Sequence, residues 1–467
     1  MAGYRAAGLT NGYLPVAAFE HFEATEIGVI DLDGTPDVIV PYRAERSGVA
    51  RDGLLLVRLH GEPLAIVHLA GGLRDLSSDR LEGLWGELAE VIAAHSLRYR
   101  CDAGERAGHD RFRGEHPATA QCSGARFQTA CSTASVIIPT GGRPGQLERC
   151  LRSMLALRQA HVDYLVVDNR PDLDGSRAVV EALAEDGLDV RYVAEPRPGS
   201  SVARNRGLVE TDAELVAFTD DDVVVDADWL NWLLSPFADP RVTVVTGMVL
   251  PLALESEAQK RFEQYAGFSK GVTSRTYDLE AAKAGERVLY PYWGGVFGSG
   301  NSMAFRRSDL VAAGGFDPAL GAGSPALAGA DIEAFSAAIV RGGRLVYEPR
   351  ALCWHEHRAS EEALRRQIFN YGAGFTAIMT KYLLHDRRFV RAVARSVPVA
   401  IEARRTNHGA TGGSARLPAS YARLARRGMV RGPWLYARSR RWARQLHLEE
   451  VITESSGAPS AVVAPTA

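Results

Sequence analysis

The chain has 467 residues, of which 46% are hydrophobic and 24% are charged, and its 54 basic residues nearly balance its 56 acidic residues. These proportions are those of an ordinary globular protein, and they exclude a collagen-like repeat or a chain that is disordered throughout. The length predicts roughly two to four domains, each large enough to bury a core without disulfide or metal staples.

Charge is distributed unevenly along the chain. Residues 381–448 contain sixteen Lys and Arg against two acidic residues, a local balance of +14, and the first 380 residues carry −13. Because Trp434, Tyr436 and Trp442 are interleaved with the arginines, this tail could lie on an anionic membrane surface. The alternatives are a solvated helical face and a nucleic-acid contact, and no recognised nucleic-acid module supports the latter.

Cysteine content and hydropathy indicate the cellular compartment of the protein. The five cysteines, at positions 101, 122, 131, 150 and 353, are odd in number and form no C-x-x-C pair, so neither a disulfide framework nor a zinc knuckle is indicated. We find no signal-peptide pattern and no run of about 18 apolar residues. We therefore expect a cytoplasmic location, which leaves open a peripheral contact with the inner face of a membrane.

The first 101 residues are predicted to form a small α+β domain. Their short β-type runs are 27–32, 37–40, 53–60 and 63–68. In the segment 76–95 that follows, apolar residues recur with a helical period. Residues 102–133 lack any period and are interpreted as a linker. No chemical motif occurs in this part, so it would either recognise a substrate or brace the remainder of the chain.

From residue 134 onward, strands alternate with helices. Nearly continuous apolar runs predict four buried strands, at 135–140, 162–169, 190–193 and 215–219. Segments of helical spacing separate these strands, so the alternation predicts a parallel sheet with right-handed crossovers. Ligands of such sheets bind at the carboxyl ends of the strands. Polar clusters follow those strand ends, so we expect them to meet at one edge of the sheet.

Acidic residues occupy two predicted strand ends. Asp220, Asp221 and Asp222 follow the fourth strand, where adjacent carboxylates repel unless a cation such as Mg²⁺ or Mn²⁺ neutralises them. The alternative is a solvated acidic turn. Asp168 ends the second strand and could accept hydrogen bonds from a nucleobase or a ribose, or it could simply form an Asx turn.

Two further segments indicate contact with an anion or a ring. Arg204 lies in the first turns of a helix that follows Gly199, and helix N-termini favour anions. Gly300 and Asn301 belong to a glycine-dense segment whose backbone can approach a ligand closely. Trp293, in the same segment, could stack on a sugar ring, although a core position is the more common role of a tryptophan.

The last candidates are a carboxylate and a histidine pair. Asp331 lies near the start of a predicted helix, where it could cap the helix or act as a general base, with Glu333 as the nearby competitor. His355 and His357 follow a predicted strand at 345–349 and would share a face in an extended segment. One of them could therefore bind the metal held by the aspartates.

Taken in order, these residues resemble glycosyltransferase family 2, the inverting nucleotide-sugar enzymes of GT-A fold. The nucleotide-binding half is matched by the sequences SVIIPT, LVVDN, ARNRG and FTDDD, and the acceptor half by GSGNSMAFRR and GGFDP. The resemblance covers residues 134–376, about half of the chain. Its strength is in the order and spacing of motifs that are individually weak.

The resemblance implies a fold, a domain plan and a reaction. The fold is an α/β GT-A (Rossmann-like), mostly parallel sheet flanked by helices at 134–380, after the small α+β domain at 1–101 and the linker at 102–133. A basic helical tail follows at 381–454, and residues 455–467 are expected to be disordered. The reaction is transfer of a sugar, with inversion, from a nucleotide-sugar donor to a hydroxyl acceptor. A tail on a membrane would make that acceptor lipid-linked or part of a cell-envelope glycan.

The resemblance also implies roles for single residues. Asp222 and His355 resemble the ligands of a catalytic Mn²⁺ or Mg²⁺, and Asp331 falls where the family has its general base. The expected donor-binding residues are Thr140, Asp168, Arg204, Asp220 and Asp221. The residues expected near the acceptor or the phosphates are Trp293, Gly300 and Asn301.

The sequence also departs from the family pattern. Residues 141–143 are Gly-Gly-Arg where the family often has Tyr-Asn-Arg, and Ala330 replaces the glutamate before Asp331. Neither a Gln-x-x-Arg-Trp motif nor a membrane span is found, which argues against a processive polysaccharide synthase. Two alternatives stay open: a nucleotide-sugar-binding protein with impaired catalysis, suggested by Ala330, and a sugar nucleotidyltransferase, suggested by a faint phosphate-loop match at 141–145.

Overall fold

The computed structural model describes most of the chain. The described residues are 24–32, 38, 40, 52–70, 72–73, 78–99, 133–157, 162–173, 175–281, 289–292, 294–394 and 418–448. They form an amino-terminal unit, a central sheet with its helices, and a long carboxyl-terminal helix. The predicted linker, apart from its last residue, and the predicted disordered end lie outside the described residues.

The amino-terminal unit is a three-stranded sheet followed by two helices. Its elements are β1 (Thr25–Asp31), β2 (Asp52–Leu59), β3 (Glu62–Ala70), α1 (Ser78–Glu87) and α2 (Ala89–Tyr99). β2 pairs in parallel with β1 and antiparallel with β3. The helix predicted over 76–95 is interrupted at Leu88, shortly after Gly83 and Gly86, whose helix propensity is low. Of the predicted run at 37–40, the structure describes residues 38 and 40, and neither is assigned to a strand.

Within the described residues, nine strands form the central sheet. They are β4 (Ala134–Thr140), β5 (Val162–Asp168), β6 (Val190–Ala194), β7 (Leu215–Phe218), β8 (Val223–Val225), β9 (Val242–Pro251), β10 (Arg275–Tyr277), β11 (Met303–Arg306) and β12 (Arg344–His355). The order is β10-β12-β9-β11-β7-β4-β5-β6, and β8 pairs with β12. Only β8, β10 and β11 run against the other six strands, so the mostly parallel sheet expected from the sequence is confirmed.

Helices cover both faces of this sheet. They are α3 (Pro144–Met154), α4 (Ser176–Glu185), α5 (Ser200–Val209), α6 (Trp229–Leu234), α7 (Glu257–Ala266), α8 (Arg307–Ala312), α9 (Ala330–Val340) and α10 (Glu361–His385). Side chains alternate across a strand. Val136 of β4 accordingly shares a core cluster with Leu147 of α3, whereas the next residue, Ile137, shares the opposite cluster with Phe335 of α9. Burial on both faces explains why β4 is almost wholly apolar.

The predicted elements agree best with the first half of the central sheet. The four predicted strands are confirmed as β4 to β7, each with one end shifted by one residue. The later strand is longer than predicted. The sequence predicts a strand at 345–349, whereas β12 continues to His355 after a register shift between Glu348 and Leu352. Such an irregularity breaks the period-two pattern of a strand, so the sequence pattern does not predict that β12 continues beyond residue 349.

The basic tail contains one long helix, α11 (Ala419–Gln445), which packs along α10. The two helices meet at glycines, because a Cβ on Gly428 would clash with the backbone of Phe369 and one on Gly372 with that of Ala425. Helix α10 itself runs past the boundary predicted at residue 380. Among the described residues, no helix has both the length and the apolar character needed to cross a bilayer.

Candidate functional site

A cavity of about 1350 Å³ opens at the carboxyl ends of the central strands. Eight of the residues singled out in the sequence line it: Thr140, Arg204, Asp220, Asp222, Gly300, Asn301, Asp331 and His355. Asp168 and Asp221 are buried and are not part of its lining, and Trp293 lies outside the described residues. The fold therefore brings the acidic cluster and Asp331 into one cleft.

Asp220 is held from two sides. Its Oδ1 accepts a hydrogen bond from Arg204 Nη2 at 2.8 Å, and its Oδ2 accepts one from Asn301 Nδ2 at 2.9 Å. Burial raises the pKa of Asp220, and the guanidinium of Arg204 opposes that shift. Because both of its oxygens are engaged, Asp220 orients Arg204 and Asn301 at the cavity.

Asp221 is fully buried. The Thr140 hydroxyl donates to its Oδ2 at 2.7 Å, and the Arg143 guanidinium forms an ion pair with its Oδ1. Burial raises the pKa of Asp221 to about 7, against the opposing charge of Arg143. Asp221 thus ties the end of β4 to the turn after β7, and it is connected to the cavity through Thr140 and Arg143, both of which line it.

Asp222 faces the cavity between a guanidinium and an imidazole. Its Oδ2 accepts a hydrogen bond from Arg143 Nη1 at 2.7 Å, and its Oδ1 lies 3.4 Å from His355 Nε2. Although burial disfavours the charged form, His355 and Arg143 lower the pKa of Asp222. In return, and despite burial, Asp222 raises the pKa of His355. Asp222 is therefore an ionised carboxylate in the cavity wall.

The sheet sets the position of His355. β8 and β12 pair antiparallel with His355 opposite Val223, the residue after Asp222. The backbone N–H of Glu356 also donates to the carbonyl of Asp222 at 2.9 Å. Strand pairing between distant parts of the chain thus brings the imidazole beside the carboxylate.

His355 begins a buried series of three hydrogen-bonded side chains. Its Nδ1 lies 2.9 Å from Nδ1 of His357, and Nε2 of His357 lies 2.7 Å from Oε2 of Glu263. All three side chains are buried, and the rings of Phe262 and Phe268 pack edge-on against the imidazoles. The sequence predicts that the two histidines share a face, but no motif marks Glu263, which comes from α7.

The donor atoms of this wall suit a divalent cation. Oδ1 of Asp222 is buried without a hydrogen bond of good geometry, and Nε2 of His355 faces it. A carboxylate oxygen and an imidazole nitrogen together suit Mn²⁺, and carboxylates also suit Mg²⁺. In the part of the chain that the structure describes, no three His, Cys, Asp or Glu side chains form a complete cage. Asp222 and His355 would therefore share the cation with water or substrate phosphates.

Asp331 enters the cavity from the first turn of α9. The backbone N–H of Gly300 donates to its Oδ2 at 2.8 Å, and no hydrogen bond from any described residue reaches its Oδ1. Gly329 precedes the helix with a φ of +98°, a conformation that glycine adopts without strain. Ala330, at the position of the missing glutamate, is buried. Asp331 therefore presents one fixed and one available oxygen.

Glu333, the nearby alternative to Asp331, is engaged elsewhere. Its carboxylate pairs with Lys381 Nζ at 2.9 Å, and Lys381 also pairs with Asp317 at 2.9 Å. The hydroxyl of Tyr382 lies 3.4 Å from the Glu333 carboxylate. Glu333 therefore links α9 to α10 and is not part of the cavity lining.

Asp168 ends β5 and is buried. Its Oδ1 accepts a hydrogen bond from the backbone N–H of Arg170 at 2.9 Å, and its Oδ2 accepts one from the Tyr192 hydroxyl at 2.9 Å. Asn169, beside it, lines the cavity and accepts a hydrogen bond from the backbone N–H of Gly199 at 2.7 Å. The contact to Arg170 is the local turn geometry that the sequence allows, so a donor-binding role for Asp168 stays a prediction.

Several lining residues are absent from the sequence predictions. Arg143 had a signal, because it is the third residue of the Gly-Gly-Arg triplet. Lys270 had no such signal. Burial lowers its pKa to about 8, and its Nζ donates a hydrogen bond to the carbonyl of Gly267 at 3.4 Å. Tyr371 and Phe375 of α10 add aromatic rings to the wall. Tyr371 and Phe375 lie four residues apart, a helical spacing that is visible in the sequence, but only tertiary packing brings these two rings and Lys270 to the cavity.

Comparison with known proteins identifies the central part of the chain. Residues 135–310 match the model of the family described as glycosyl transferase family 2. This match supports, for 176 of the 467 residues, the resemblance drawn from the sequence, and the matched residues are called the family 2 segment. The family 2 segment contains the acidic cluster and Gly300, whereas Asp331 and His355 lie after its last matched residue. The observed sheet, with helices on both faces and the cavity at its strand ends, is the GT-A architecture expected for the family.

Relatives of the family 2 segment extend the match. The pre-mycofactocin glycosyltransferase of Mycobacterium tuberculosis is 27% identical over 352 residues, which are 74% of this chain and 64% of that protein. The chain thus spans slightly less than two thirds of the length of this relative. The succinoglycan biosynthesis protein ExoM of Rhizobium meliloti is 35% identical over 111 residues, which are 23% of this chain and 36% of that protein.

Solved structures also align with this chain. The mannosyltransferase PcManGT from Pyrobaculum calidifontis, solved with GDP-Man and Mn²⁺, aligns with a TM-score of 0.41 and 19% identity. That alignment covers 70% of this chain and 89% of the other.

Proposed function

We propose that this protein is a metal-dependent glycosyltransferase that moves a sugar, with inversion, from a nucleotide-sugar donor to an acceptor hydroxyl. The observation that supports this most is a single cavity in which Asp331, with an available carboxylate oxygen, accompanies Asp222 and His355. The family 2 match supports the nucleotide-sugar donor, and the names of the relatives support sugar transfer.

The donor is bound at the strand ends. Asp222 and His355 would hold Mn²⁺ or Mg²⁺, which would supply positive charge against the leaving nucleoside diphosphate. The first turn of α5 also lines the cavity at Ser200, and helix N-termini favour phosphate. Arg204, fixed by Asp220, adds a guanidinium on the same side. The nucleobase and ribose would bind at the end of β5, beside Asp168 and Asn169.

Asp331 is the general base. Because Gly300 N–H fixes Oδ2, Oδ1 is available to accept the proton of the acceptor hydroxyl. Asp220 is hydrogen-bonded on both oxygens, and Asp222 is engaged by Arg143 and His355. Besides Asp331, neither Asp220 nor Asp222 is therefore available to act as a nucleophile. A single displacement at the anomeric carbon follows, and it inverts the configuration.

The test is release of nucleoside diphosphate from GDP-mannose and from UDP-glucose, with and without Mn²⁺. We expect Asp331→Asn to lower turnover by roughly 10²–10⁴-fold, the range of general-base contributions. The increase in melting temperature caused by nucleoside diphosphate with Mn²⁺ should persist in Asp331→Asn and disappear in Asp222→Ala.

The matched control for the base is Asp309→Asn. Asp309 lies in the first turn of α8, as Asp331 does in α9, but it is exposed and outside the cavity. Its substitution should leave turnover unchanged. Full turnover of Asp331→Asn would show that the base is another group, and release of pyrophosphate would indicate a nucleotidyltransferase instead.

We also propose that α11 rests on an anionic lipid surface, so that the acceptor is lipid-linked or a membrane-bound glycan. The exposed arginines of α11 are Arg423, Arg426, Arg427, Arg431, Arg438, Arg441 and Arg444. No acidic residue occurs between 419 and 448. Val430 is 81% exposed and Trp434 is 61% exposed, which adds an apolar contact to the charge.

The basic surface adjoins the cavity. Met429 of α11 is itself part of the cavity lining. A second groove, of about 800 Å³, is lined by the α11 residues Arg431, Trp434 and Arg438, and it shares Gly323 and Leu327 with the main cavity. A lipid-linked acceptor held at α11 would therefore need to extend only a short way to reach Asp331.

Vesicle co-sedimentation tests the lipid contact. The protein should sediment with vesicles containing about 30% phosphatidylglycerol and not with pure phosphatidylcholine. Arg431→Gln with Arg438→Gln should weaken this binding by roughly tenfold or more, since each basic residue contributes about 1 kcal/mol at such a surface. The control pair, Arg365→Gln with Arg366→Gln, removes arginines of α10 that pair with glutamates. Equal sedimentation with both lipids would refute the contact.

A further inference from the structure

The hydrogen bonds from Glu263 to His355 have a direction. A carboxylate accepts and does not donate, so His357 donates its Nε2–H to Glu263 at 2.7 Å. A neutral His357 then has an unprotonated Nδ1, which accepts the Nδ1–H of His355 at 2.9 Å. These two hydrogen bonds therefore specify that a neutral His355 carries its proton on Nδ1.

This direction leaves a lone pair on Nε2 of His355 whenever that imidazole is neutral. That nitrogen lies 3.4 Å from Oδ1 of Asp222, which is also an acceptor. Two buried acceptors that face each other are unfavourable unless a proton or a metal cation lies between them. The arrangement therefore favours a positive ion at these two atoms.

Helix α7 holds His357 through its backbone as well as its ring. Gln259 Nε2 donates to the carbonyl of His357 at 3.0 Å, and Gln259 also completes the capping box with Ser256 at the start of α7. The ring of Phe262 packs edge-on against His357, with 4.6 Å between the centroids. Three residues of α7, Gln259, Phe262 and Glu263, thus hold His357 in place.

We infer that Glu263 and His357 are positioning residues, which fix the Nδ1–H tautomer of His355 and present its Nε2 to a divalent cation. This inference rests on the metal dependence proposed above, and it adds the residues that orient the ligand. Neither residue would touch the cation. Partners of this kind typically change metal affinity by about 10–100-fold.

The tautomer is measurable without any metal. In the metal-free protein labelled with [¹⁵N]histidine, at a pH above the titration of His355, the ¹⁵N spectrum should show the proton of His355 on Nδ1. In His357→Phe, which keeps a ring but removes the acceptor, that preference should be lost. A proton on Nε2 in the unaltered protein would overturn the inference.

Metal affinity is the second readout, measured from the electron paramagnetic resonance signal of free Mn²⁺. Glu263→Gln and His357→Phe should weaken Mn²⁺ binding by about 10–100-fold. His357→Asn should recover part of the loss, because its amide oxygen can accept from His355. Circular dichroism melting confirms that each variant is folded.

Glu356→Gln is the control for the loss of a negative charge close to His355. Glu356 follows His355 in the chain but bonds Gln146 and Arg149 instead of the histidines. Its loss should alter Mn²⁺ affinity by less than about threefold, well below the effect of an orienting partner. Affinities of the folded Glu263 and His357 variants equal to that of the unaltered protein would overturn the inference. If the unaltered protein binds no Mn²⁺, the proposed metal dependence fails, and the ¹⁵N measurement still decides the tautomer.

Discussion

At the scale of single residues, two carboxylates of one helix turn have different roles. Asp331 and Glu333 both lie in the first turn of α9, and residues two positions apart on a helix point to nearly opposite sides. Asp331 consequently reaches the cavity and Gly300, whereas Glu333 reaches Lys381 on α10. Sequence proximity made Glu333 a competitor for the base, and helix geometry separates the two.

We predict that Glu333→Gln weakens the fold more than the chemistry. Removing the charge breaks the pair with Lys381, and a hydrogen bond to a charged group contributes about 1.5–3 kcal/mol. Urea unfolding should show a loss of that size, while turnover per folded molecule should stay within a few-fold. Glu362→Gln, which removes an exposed partner of Arg366, is the control and should change stability by less than about 0.5 kcal/mol. A large loss of turnover at unchanged stability would make Glu333 the base.

At the scale of elements, the helix pair α10 and α11 depends on small residues. Gly372 on α10 and Gly428 and Gly432 on α11 lie where a Cβ would meet the backbone or a side chain of the opposite helix. The Thr376 hydroxyl also donates to the carbonyl of Met429 at 2.8 Å. This close approach anchors the basic helix and keeps Met429 in the cavity wall.

Gly428→Ala should therefore destabilise the protein despite the better helix propensity of alanine. The added methyl group clashes with the backbone of Phe369, and overpacking of this kind costs about 1–3 kcal/mol. Gly86→Ala in α1 is the matched control, since its Cβ would meet nothing within 4 Å, and it should stabilise by up to about 1 kcal/mol. Urea unfolding of both variants measures the contrast. Equal effects of the two substitutions would show that the helices do not need this contact.

At the scale of the whole molecule, the amino-terminal unit packs against the central sheet. Ile27 of β1 and Leu54 of β2 share a core cluster with Met248 of β9 and Trp354 of β12. Arg58 also donates to Asp226, the residue after β8, at 2.9 Å. None of the described residues before β4 lines the cavity. Of the two roles left open by the sequence, the structure supports bracing, because this packing lies against the strands that carry His355 and Asp222.

The sequence by itself determined the first half of the central sheet and the identity of its strand-end residues. Buried parallel strands are continuous apolar runs, so β4 to β7 and the acidic residues after β7 were visible locally. The order of the motifs was enough to indicate family 2.

Only the tertiary structure decided what surrounds these residues. The pairing of Asp222 with Arg143 and His355, the support of His355 by Glu263, and the entry of Lys270 into the cavity all join distant segments. Such contacts depend on strand register and helix placement. A sequence pattern records the period and burial of one segment at a time, so it leaves no trace of which segments meet.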